Sequence, residues 1–394
     1  METIRTCVAI VVQLEVNIFQ LDLKSAFLNG KIQEEVYVEH PQDDLIYFGT
    51  NKAMVAEFKN QMMKEFEMTD LGLMKYFLGI QVKKSPGRIF LSQEKYIEDL
   101  QKKFNMSQCK PLSTPMALNK KFQVNCDGEK ADTTSYRKLI GSLIYLNTRP
   151  DITHSVSLLS RFLNEPSQIH FAAAKRILRY LKGTKTQGIE FKKESECKLV
   201  GYTDSDWEVL IDYRKSTSGY IFCLGSNVIS WSSRKQKYVA LSSAEAEYIA
   251  CTDATCEVVW LQRILKDMKF EQCEPTIIHC DNMSAIAITK NPIFHARSKH
   301  IERRTHFIRD LKIKNLAADL CLERVAVLKL LHDSPPNLLL SAALPDNTDS
   351  NKSAMTMSEL ESETLKSSAS EGTIIDLTSE EKEEVPIHVI VGIN

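Results

Sequence analysis

The stretch KLVGYTDSDW (198–207) has the residue alternation of a β-strand and contains two acids, Asp204 and Asp206, near its end. Val200, Tyr202 and Asp204 share one face because side chains of a strand alternate with period two. The pattern predicts a β-strand that presents Asp204 at its carboxyl end. Asp206 falls on the same side and is the second choice for a functional acid.

A second stretch with acids is SSAEAEYIA (242–250), which begins an apolar helical pattern. Ser242 and Glu245 have the spacing of a capping box, so Glu245 has a structural role at the start of the predicted helix. Glu247 points about 200° around the helix from Glu245. Glu247 is therefore the glutamate that remains free for chemistry.

The third acid is Asp281 in IIHCDNMSAIA (277–287), where an apolar strand pattern changes into a helical one. Taken alone, Asp281 is better explained as an N-cap and Asp204 as a turn residue. Between the first strand and the helix, SGYIFCLG and NVISWSS predict a hairpin. The order strand, hairpin, helix, strand, helix favours one shared site for the three acids.

Clustered carboxylates suit the hydrolysis of a phosphodiester bond. Attack by water builds negative charge on the attacking and the leaving oxygen, and two divalent ions about 3.5–4 Å apart stabilise both charges. Hard cations prefer carboxylate oxygens as ligands. The predicted cofactor is Mg²⁺ or Mn²⁺.

Residues 197–311 resemble the ribonuclease H domain of copia-type LTR-retrotransposon Pol polyproteins. The resemblance includes RKSTSGY (214–220) and SKHIERRTHFIRD (298–310) as well as the three acidic stretches. It implies an α/β (α+β) fold with a ribonuclease H-like mixed sheet. It also implies that Asp204, Glu247 and Asp281 are catalytic, that they hold two Mg²⁺ ions, and that the RNA strand of an RNA–DNA hybrid is cut.

The amino-terminal part resembles a reverse transcriptase of the same family. IFQLDLKSAFLNG (18–30) is similar to its first catalytic motif, with Asp22 as the acid, and DDLIYFGTN (43–51) is similar to the end of its second, with Asp43 and Asp44. Only 20 residues separate Asp22 from Asp43, whereas the family has a nucleotide-binding segment between these motifs. We expect a remnant palm without polymerase activity.

The middle of the chain continues this resemblance through thumb and connection. Three helical patterns fill residues 133–182, and the last carries a basic run composed of Lys175, Arg176, Arg179 and Lys182. The run is read either as a solvated helix face or as a contact with nucleic-acid phosphates. Both readings stay open.

The resemblance to ribonuclease H ends after Leu311. The family continues with a fifth strand and a helix that supplies a fourth metal-binding acid, and Asp319 is a weak candidate for it because it comes too early, before a strand could form. The predicted segments are a remnant palm (1–51), a thumb-like segment (52–116), a connection (117–196), an incomplete ribonuclease H-like domain (197–320) and a disordered acidic tail (333–394).

Composition narrows the class of protein further. From residue 346 onwards there are 11 acids and 3 lysines, so the first 345 residues carry a net charge of +7, which suits a phosphate-rich partner. The 10 cysteines include no C-x-x-C pair and no zinc-site spacing, which predicts reduced thiols and an intracellular, cytoplasmic or nuclear location. No apolar run has the ~20 residues of a membrane span, so no membrane partner is expected.

One short motif in the tail suggests a protein partner. GTIIDLTSEEKEE (372–384) resembles a SUMO-interacting motif, with Ile374, Ile375 and Leu377 as an aliphatic core next to acids. Such a core adds a strand to the sheet edge of its partner. The alternative to an active nuclease is therefore a catalytically inactive, transposon-derived protein that binds nucleic acid or SUMO.

Overall fold

The computed structural model describes residues 1–23, 43–117, 122–123, 129–206, 215–290, 318–322 and 388–392. Within them the helices are α1 (Glu2–Leu14), α2 (Lys52–Glu65), α3 (Glu94–Lys103), α4 (Thr133–Ile144), a 3₁₀ turn (Pro150–Ile152), α5 (Thr153–Ser160), α6 (Gln168–Gly183), α7 (Ser243–Asp267) and α8 (Met283–Lys290). The described residues include no helix that is both long enough and apolar enough to cross a bilayer.

Thirteen strands pair into three sheets in this part of the chain. The strands are β1 (Phe19–Leu23), β2 (Asp43–Phe48), β3 (Met68–Leu73), β4 (Tyr76–Phe77), β5 (Ile80–Ser85), β6 (Arg88–Ser92), β7 (Gly188–Lys192), β8 (Leu199–Asp206), β9 (Thr217–Leu224), β10 (Asn227–Lys235), β11 (Thr276–Cys280), β12 (Ala318–Leu322) and β13 (His388–Gly392). The predicted α/β class with mixed sheets is confirmed.

The five-stranded sheet has the order β10-β9-β8-β11-β12 and carries the predicted acids. β8, β9 and β10 are antiparallel neighbours, and β11 runs parallel to both β8 and β12. Gly225, at φ +60°, opens the tight turn between β9 and β10, a backbone conformation that favours glycine. The helix α7 connects β10 to β11, as predicted, and its buried residues pack against β8 and β9.

A four-stranded sheet has the order β13-β2-β1-β3 and includes both strands of the segment predicted to be a remnant palm. The pairing of β2 with β13 corrects the prediction of a tail that is disordered throughout residues 333–394. His388 lies opposite Phe48 and Gly392 opposite Asp44 in an antiparallel register. The prediction failed because an apolar run of five residues near a chain end gives no sign of which distant strand edge it joins.

A third sheet, of order β4-β5-β6-β7, contains the predicted thumb hairpin. Its last strand comes from the segment that sequence analysis assigned to the connection, since β7 pairs with β6 from Ser92 opposite Gly188 to Arg88 opposite Lys192. The strands β6 and β7 lie so close together at Gly188 that a Cβ there would be 2.0 Å from the carbonyl oxygen of Leu91. Thumb and connection therefore share one sheet.

The helices α3 to α6 enclose a separate apolar core, to which Ile97, Tyr136, Leu139, Ile177 and Leu178 contribute fully buried side chains. α1 packs elsewhere, against the five-stranded sheet. The Arg5 Nε donates to the Ile229 carbonyl oxygen at 2.7 Å, and the guanidinium lies 3.8 Å from the centre of the Trp231 ring. The amino-terminal helix, which directly precedes β1 of the four-stranded sheet, thus packs on the five-stranded sheet.

The pairing of β13 with β2 leads to a stability prediction. Deleting residues 387–394 should lower the free energy of unfolding by about 1–3 kcal/mol and promote self-association, because the exposed edge of β2 offers unpaired backbone groups to another chain. Chemical denaturation and analytical ultracentrifugation measure the two effects. A deletion of equal length, 352–359, retains β13 and serves as the control. Equal stability of the two deletions would contradict the role given to β13.

Candidate active site

The parallel pairing of β8 with β11 aligns two of the predicted acids. Tyr202 of β8 lies opposite His279 of β11, and their rings stack with centroids 4.9 Å apart. Asp204 and Asp281 each follow two residues later, so both stand at the same edge of the sheet. The alternative of Asp204 as a turn residue is wrong, because Asp204 lies inside β8 opposite Gly219 of β9.

The other single-residue alternative concerned Asp281 as the N-cap of α8. The side chain of Asn282 takes that role, since its Oδ1 accepts a hydrogen bond from the Ala285 backbone N–H at 3.0 Å. Asp281 is exposed at the edge of the sheet. Its carboxylate is thus not needed to begin the helix.

Glu247 reaches the same edge from α7 and is 5% exposed. Its Oε1 accepts a hydrogen bond from the Ser205 backbone N–H at 2.9 Å, directly beside Asp204. Its Oε2 is buried and has no hydrogen-bond partner among the residues that the structure describes. A buried polar atom without a partner is costly, so this oxygen is poised for a ligand.

Glu245 has the separate structural role that the sequence predicted. The Ser242 Oγ accepts from the Glu245 backbone N–H at 3.2 Å, and Glu245 Oε2 accepts from the Leu241 N–H at 2.8 Å. In a standard capping box the glutamate carboxylate would accept from the N–H of the N-cap residue, here Ser242. The carboxylate of Glu245 accepts instead from the residue before it, Leu241. Glu245 and Glu247 therefore have different roles, as predicted.

Cys280 is a further member of the site, which sequence reasoning missed. Ligand atoms of Glu247, Cys280 and Asp281 all lie within 4.8 Å of one another, with the first two residues buried and Asp281 exposed. In the sequence, the only indication that Cys280 belongs to the site was its position next to Asp281. Its spatial neighbour Glu247 lies on another element, so spacing along the chain gave no sign of the cluster.

Gln236 is a second residue that the sequence did not single out. It is 3% exposed, and its Nε2 donates to the Ala246 carbonyl oxygen at 2.8 Å, to Ser218 Oγ at 2.9 Å and to Ser205 Oγ at 3.3 Å. These bonds tie together β8, β9 and α7 next to Glu247. Gln236 therefore positions the backbone that holds the site.

Burial and negative neighbours raise the pKa of Glu247 to about 9. The largest cause is loss of solvent, followed by the charges of Asp204, Cys280 and Asp281, while the Ser205 N–H acts in the opposite direction. The influence of both aspartates shows that the three predicted acids converge. Negative groups held this close together repel one another, and a divalent cation between them would offset that repulsion. The residues present therefore fit Mg²⁺ or Mn²⁺.

This pKa shift predicts a change of stability with pH. The native state holds a proton that the unfolded state loses, so the contribution is intact below the ordinary carboxyl range and is lost as pH rises towards 9. Between pH 5 and pH 9, Glu247→Gln should lose less unfolding free energy than the native chain, by up to about 5 kcal/mol, because each pH unit below the raised pKa corresponds to about 1.4 kcal/mol. Denaturation without divalent ions measures this, with Glu245→Gln as the control. Parallel pH profiles for native chain and Glu247→Gln would contradict the shift.

Asp319 does not lie where a fourth ligand is needed. It belongs to β12, which corrects the expectation that no strand forms before it, and it pairs in register with Ile277 near the start of β11. Asp281 follows the opposite end of that strand. Because β11 and β12 are parallel, the backbone places Asp319 about four residues, or roughly 13 Å, short of the acidic edge.

The acids predicted for the polymerase lie on neighbouring strands of the four-stranded sheet. The antiparallel register of β1 and β2 sets Asp22 opposite Asp44 and Leu23 opposite Asp43. Asp22 also lines an open cleft with Tyr76 and Tyr145. The backbone of the acid-bearing strands is therefore retained, although only 20 residues connect them.

Three residues of the basic run on α6 hold the extended segment 107–114. Arg176 Nη2 donates to Thr114 Oγ1 at 2.8 Å and Arg179 Nε to the Lys110 carbonyl oxygen at 2.8 Å, while Lys182 Nζ donates to the carbonyl oxygens of Ser107 at 2.6 Å and Cys109 at 2.8 Å. Lys175 Nζ lies 4.6 Å from the centre of the Phe171 ring. These contacts give the run a structural role. The SUMO-motif residues Ile374, Ile375 and Leu377 lie outside the described residues.

Comparison with known proteins gives one family match and several relatives of the chain. The family description "Reverse transcriptase (RNA-dependent DNA polymerase)" matches residues 42–118. The retrovirus-related Pol polyprotein from transposon TNT 1-94 of Nicotiana tabacum is 34% identical over 424 residues, which cover 88% of this chain and 31% of that protein. This matched length exceeds the 394 residues of the chain, so the relative has residues within the match that the chain lacks.

Two further relatives are similar. The Pol polyprotein from transposon RE1 of Arabidopsis thaliana is 40% identical over 287 residues, 73% of this chain and 20% of that protein. The putative transposon Ty5-1 protein of Saccharomyces cerevisiae is 34% identical over 234 residues, 58% of this chain and 75% of that protein. The chain spans a third or less of the length of the two Pol polyproteins. It belongs to the family of copia-type LTR-retrotransposon Pol proteins, as a fragment with a reverse transcriptase domain.

Proposed function

We propose that this chain cleaves the RNA strand of RNA–DNA hybrids with the help of Mg²⁺ or Mn²⁺. The observation that carries the proposal is the convergence of Asp204, Glu247 and Asp281 at one sheet edge around a buried carboxylate oxygen without a partner. Two strand ends and one helix supply the three acids. No single element has to bend to bring them together.

Asp204, Glu247 and Asp281 would hold the ions, and the exposed side of Asp281 leaves the site open to a substrate backbone. The ions supply stabilisation of the charge on the attacking and leaving oxygens of the phosphodiester. Glu247 is oriented by the Ser205 N–H, and Gln236 fixes the backbone around both residues. Discrimination in favour of RNA would come from the 2′-hydroxyl group.

A labelled hybrid tests the proposal. With Mg²⁺, the purified chain should shorten the RNA strand and leave the DNA strand intact, and chelation of the metal should stop the reaction. The same protein should not extend a primer, because only 20 residues separate Asp22 from Asp43, too few for the nucleotide-binding segment that the resemblance to reverse transcriptases implies between these acids. Extension that is lost with Asp43→Asn would show that polymerase activity persists.

The alternative is a catalytically inactive protein that binds nucleic acid or SUMO. The observation in its favour is the position of Asp319, which leaves the acidic edge without a fourth carboxylate from β12. A chain that binds hybrid or SUMO but cleaves no hybrid with either metal would support this alternative. SUMO binding is tested with Ile374→Ala and Ile375→Ala.

Binding to a hybrid should depend on charge. The tail competes with phosphates for the basic part of the chain, so changing Glu380, Glu381, Glu383 and Glu384 to Gln should tighten binding about 2- to 10-fold at low salt. These substitutions leave His388–Gly392 in place. The difference should vanish at high salt, because screening removes the competition. Equal affinity at low salt would show that the tail does not compete.

A further inference from the structure

Cys280 gives the acidic edge a ligand that Mg²⁺ does not use. It is the last residue of β11, is 1% exposed, and its sulfur lies within 4.8 Å of carboxylate oxygens of Glu247 and Asp281. One sulfur and two carboxylates match the preference of zinc and cadmium ions. Magnesium ions prefer oxygen ligands only.

A second observation, independent of the cysteine, points to a ligand here. Glu247 is 5% exposed, and within the described part of the chain its buried Oε2 has no hydrogen-bond partner, while Oε1 accepts from the Ser205 N–H. The unpartnered oxygen belongs to the carboxylate whose ligand atoms cluster with Cys280 and Asp281. A cation bound there would satisfy it.

A second buried thiol belongs to the same region. Cys251 lies one turn after Glu247 on α7 and is fully buried. Neither Cys251 nor Cys280 forms a disulfide. The thiol of Cys280 is therefore available to a cation.

We propose that Glu247, Cys280 and Asp281 form a binding site for a thiophilic divalent cation, Zn²⁺ or Cd²⁺, at the acids that otherwise hold Mg²⁺. Binding replaces the thiol proton of Cys280, which passes to solvent, and a water completes the coordination of the three protein ligands. Occupation by zinc therefore blocks hybrid cleavage. This last consequence rests on the proposed function, whereas metal binding does not.

Titration of the magnesium-free, full-length chain with Cd²⁺ tests the site directly. The native chain should develop a near-ultraviolet sulfur-to-cadmium charge-transfer band that saturates at one ion per chain. Cys280→Ala should lose the band, and Glu247→Gln should weaken Cd²⁺ and Zn²⁺ binding by at least about 10-fold in calorimetry. Cys223→Ala is the control, because Cys223 is equally buried in β9 of the same sheet.

The variants are first checked for native secondary structure by circular dichroism, and Cys280→Ser replaces Cys280→Ala if the latter does not fold. A cadmium band of undiminished size in the folded Cys280 variant would overturn the proposal. So would Zn²⁺ affinity that is unchanged in Glu247→Gln, because the ion would then be held by a surface thiol.

The cleavage assay separates this proposal from the proposed function. If hybrid is cleaved, added Zn²⁺ should inhibit the native chain more strongly than Cys280→Ala, each compared with its own zinc-free rate. Equal inhibition would count against the site. If hybrid is not cleaved at all, the proposed function fails, while a cadmium band that depends on Cys280 still supports the metal site.

Discussion

Substituting Asn for Asp204 or Asp281 is expected to lower the rate of hybrid cleavage by roughly 100-fold or more. Each aspartate stands at a strand end beside Glu247, whose pKa both of them raise. An amide keeps the shape of the side chain but removes the negative charge that holds a divalent cation. Single-turnover cleavage of an end-labelled hybrid measures the loss, and circular dichroism verifies that both variants fold.

Two matched variants make this result specific. Glu245→Gln alters the other buried glutamate of α7, whose carboxylate accepts from the Leu241 N–H, and should retain cleavage. Asp206→Asn tests whether Asp204, and not Asp206, is the acid of β8 that cleavage requires. Loss of cleavage with Asp206→Asn and not with Asp204→Asn would exchange their roles.

The second large effect is expected at Arg149, which is entirely buried. Its Nε and Nη2 donate to the two carboxylate oxygens of Asp151 at 2.9 and 2.6 Å, and Nη2 also donates to Thr184 Oγ1 at 2.7 Å. Tyr180 completes the cluster by donating to Asp151 at 2.7 Å. Arg149→Met leaves the Asp151 charge buried without its partner, which should cost about 3–5 kcal/mol of unfolding free energy.

A double variant separates lost attraction from uncompensated charge. Arg149→Met with Asp151→Asn removes both charges and should recover part of the stability lost by Arg149→Met alone, because breaking a buried pair costs more than replacing it. Denaturant unfolding gives the values. A change below about 0.5 kcal/mol in Arg149→Met would mean that the pair does not stabilise the connection.

The elements around the site were predictable from local patterns. The alternation in 199–206, the hairpin of β9 and β10, and the cap at Ser242 each depend on neighbouring residues only. Because parallel strand ends meet at one edge, the alignment of Asp204 with Asp281 also followed from element order. The separation of Glu245 from Glu247 needed only helix geometry.

Other features depend on distant contacts that no local pattern encodes. β13 pairs with β2 across more than three hundred residues of chain, and Cys280 meets Glu247 only when α7 packs on the sheet. The basic run on α6 left two interpretations open, because the sequence of its extended partner, 107–114, gives no sign of the carbonyl groups it presents. The strand that carries Asp319 was not predicted, since it is set by pairing with β11.

The most direct test of the central claim is cleavage of an RNA–DNA hybrid, labelled on both strands, by the purified chain with Mg²⁺ and with a chelator. We predict that the RNA strand is shortened only when metal is present, that the DNA strand remains whole, and that Asp204→Asn is inactive. An intact RNA strand after prolonged incubation of folded protein with Mg²⁺ and with Mn²⁺, or cleavage that survives Asp204→Asn and Asp281→Asn, would contradict it.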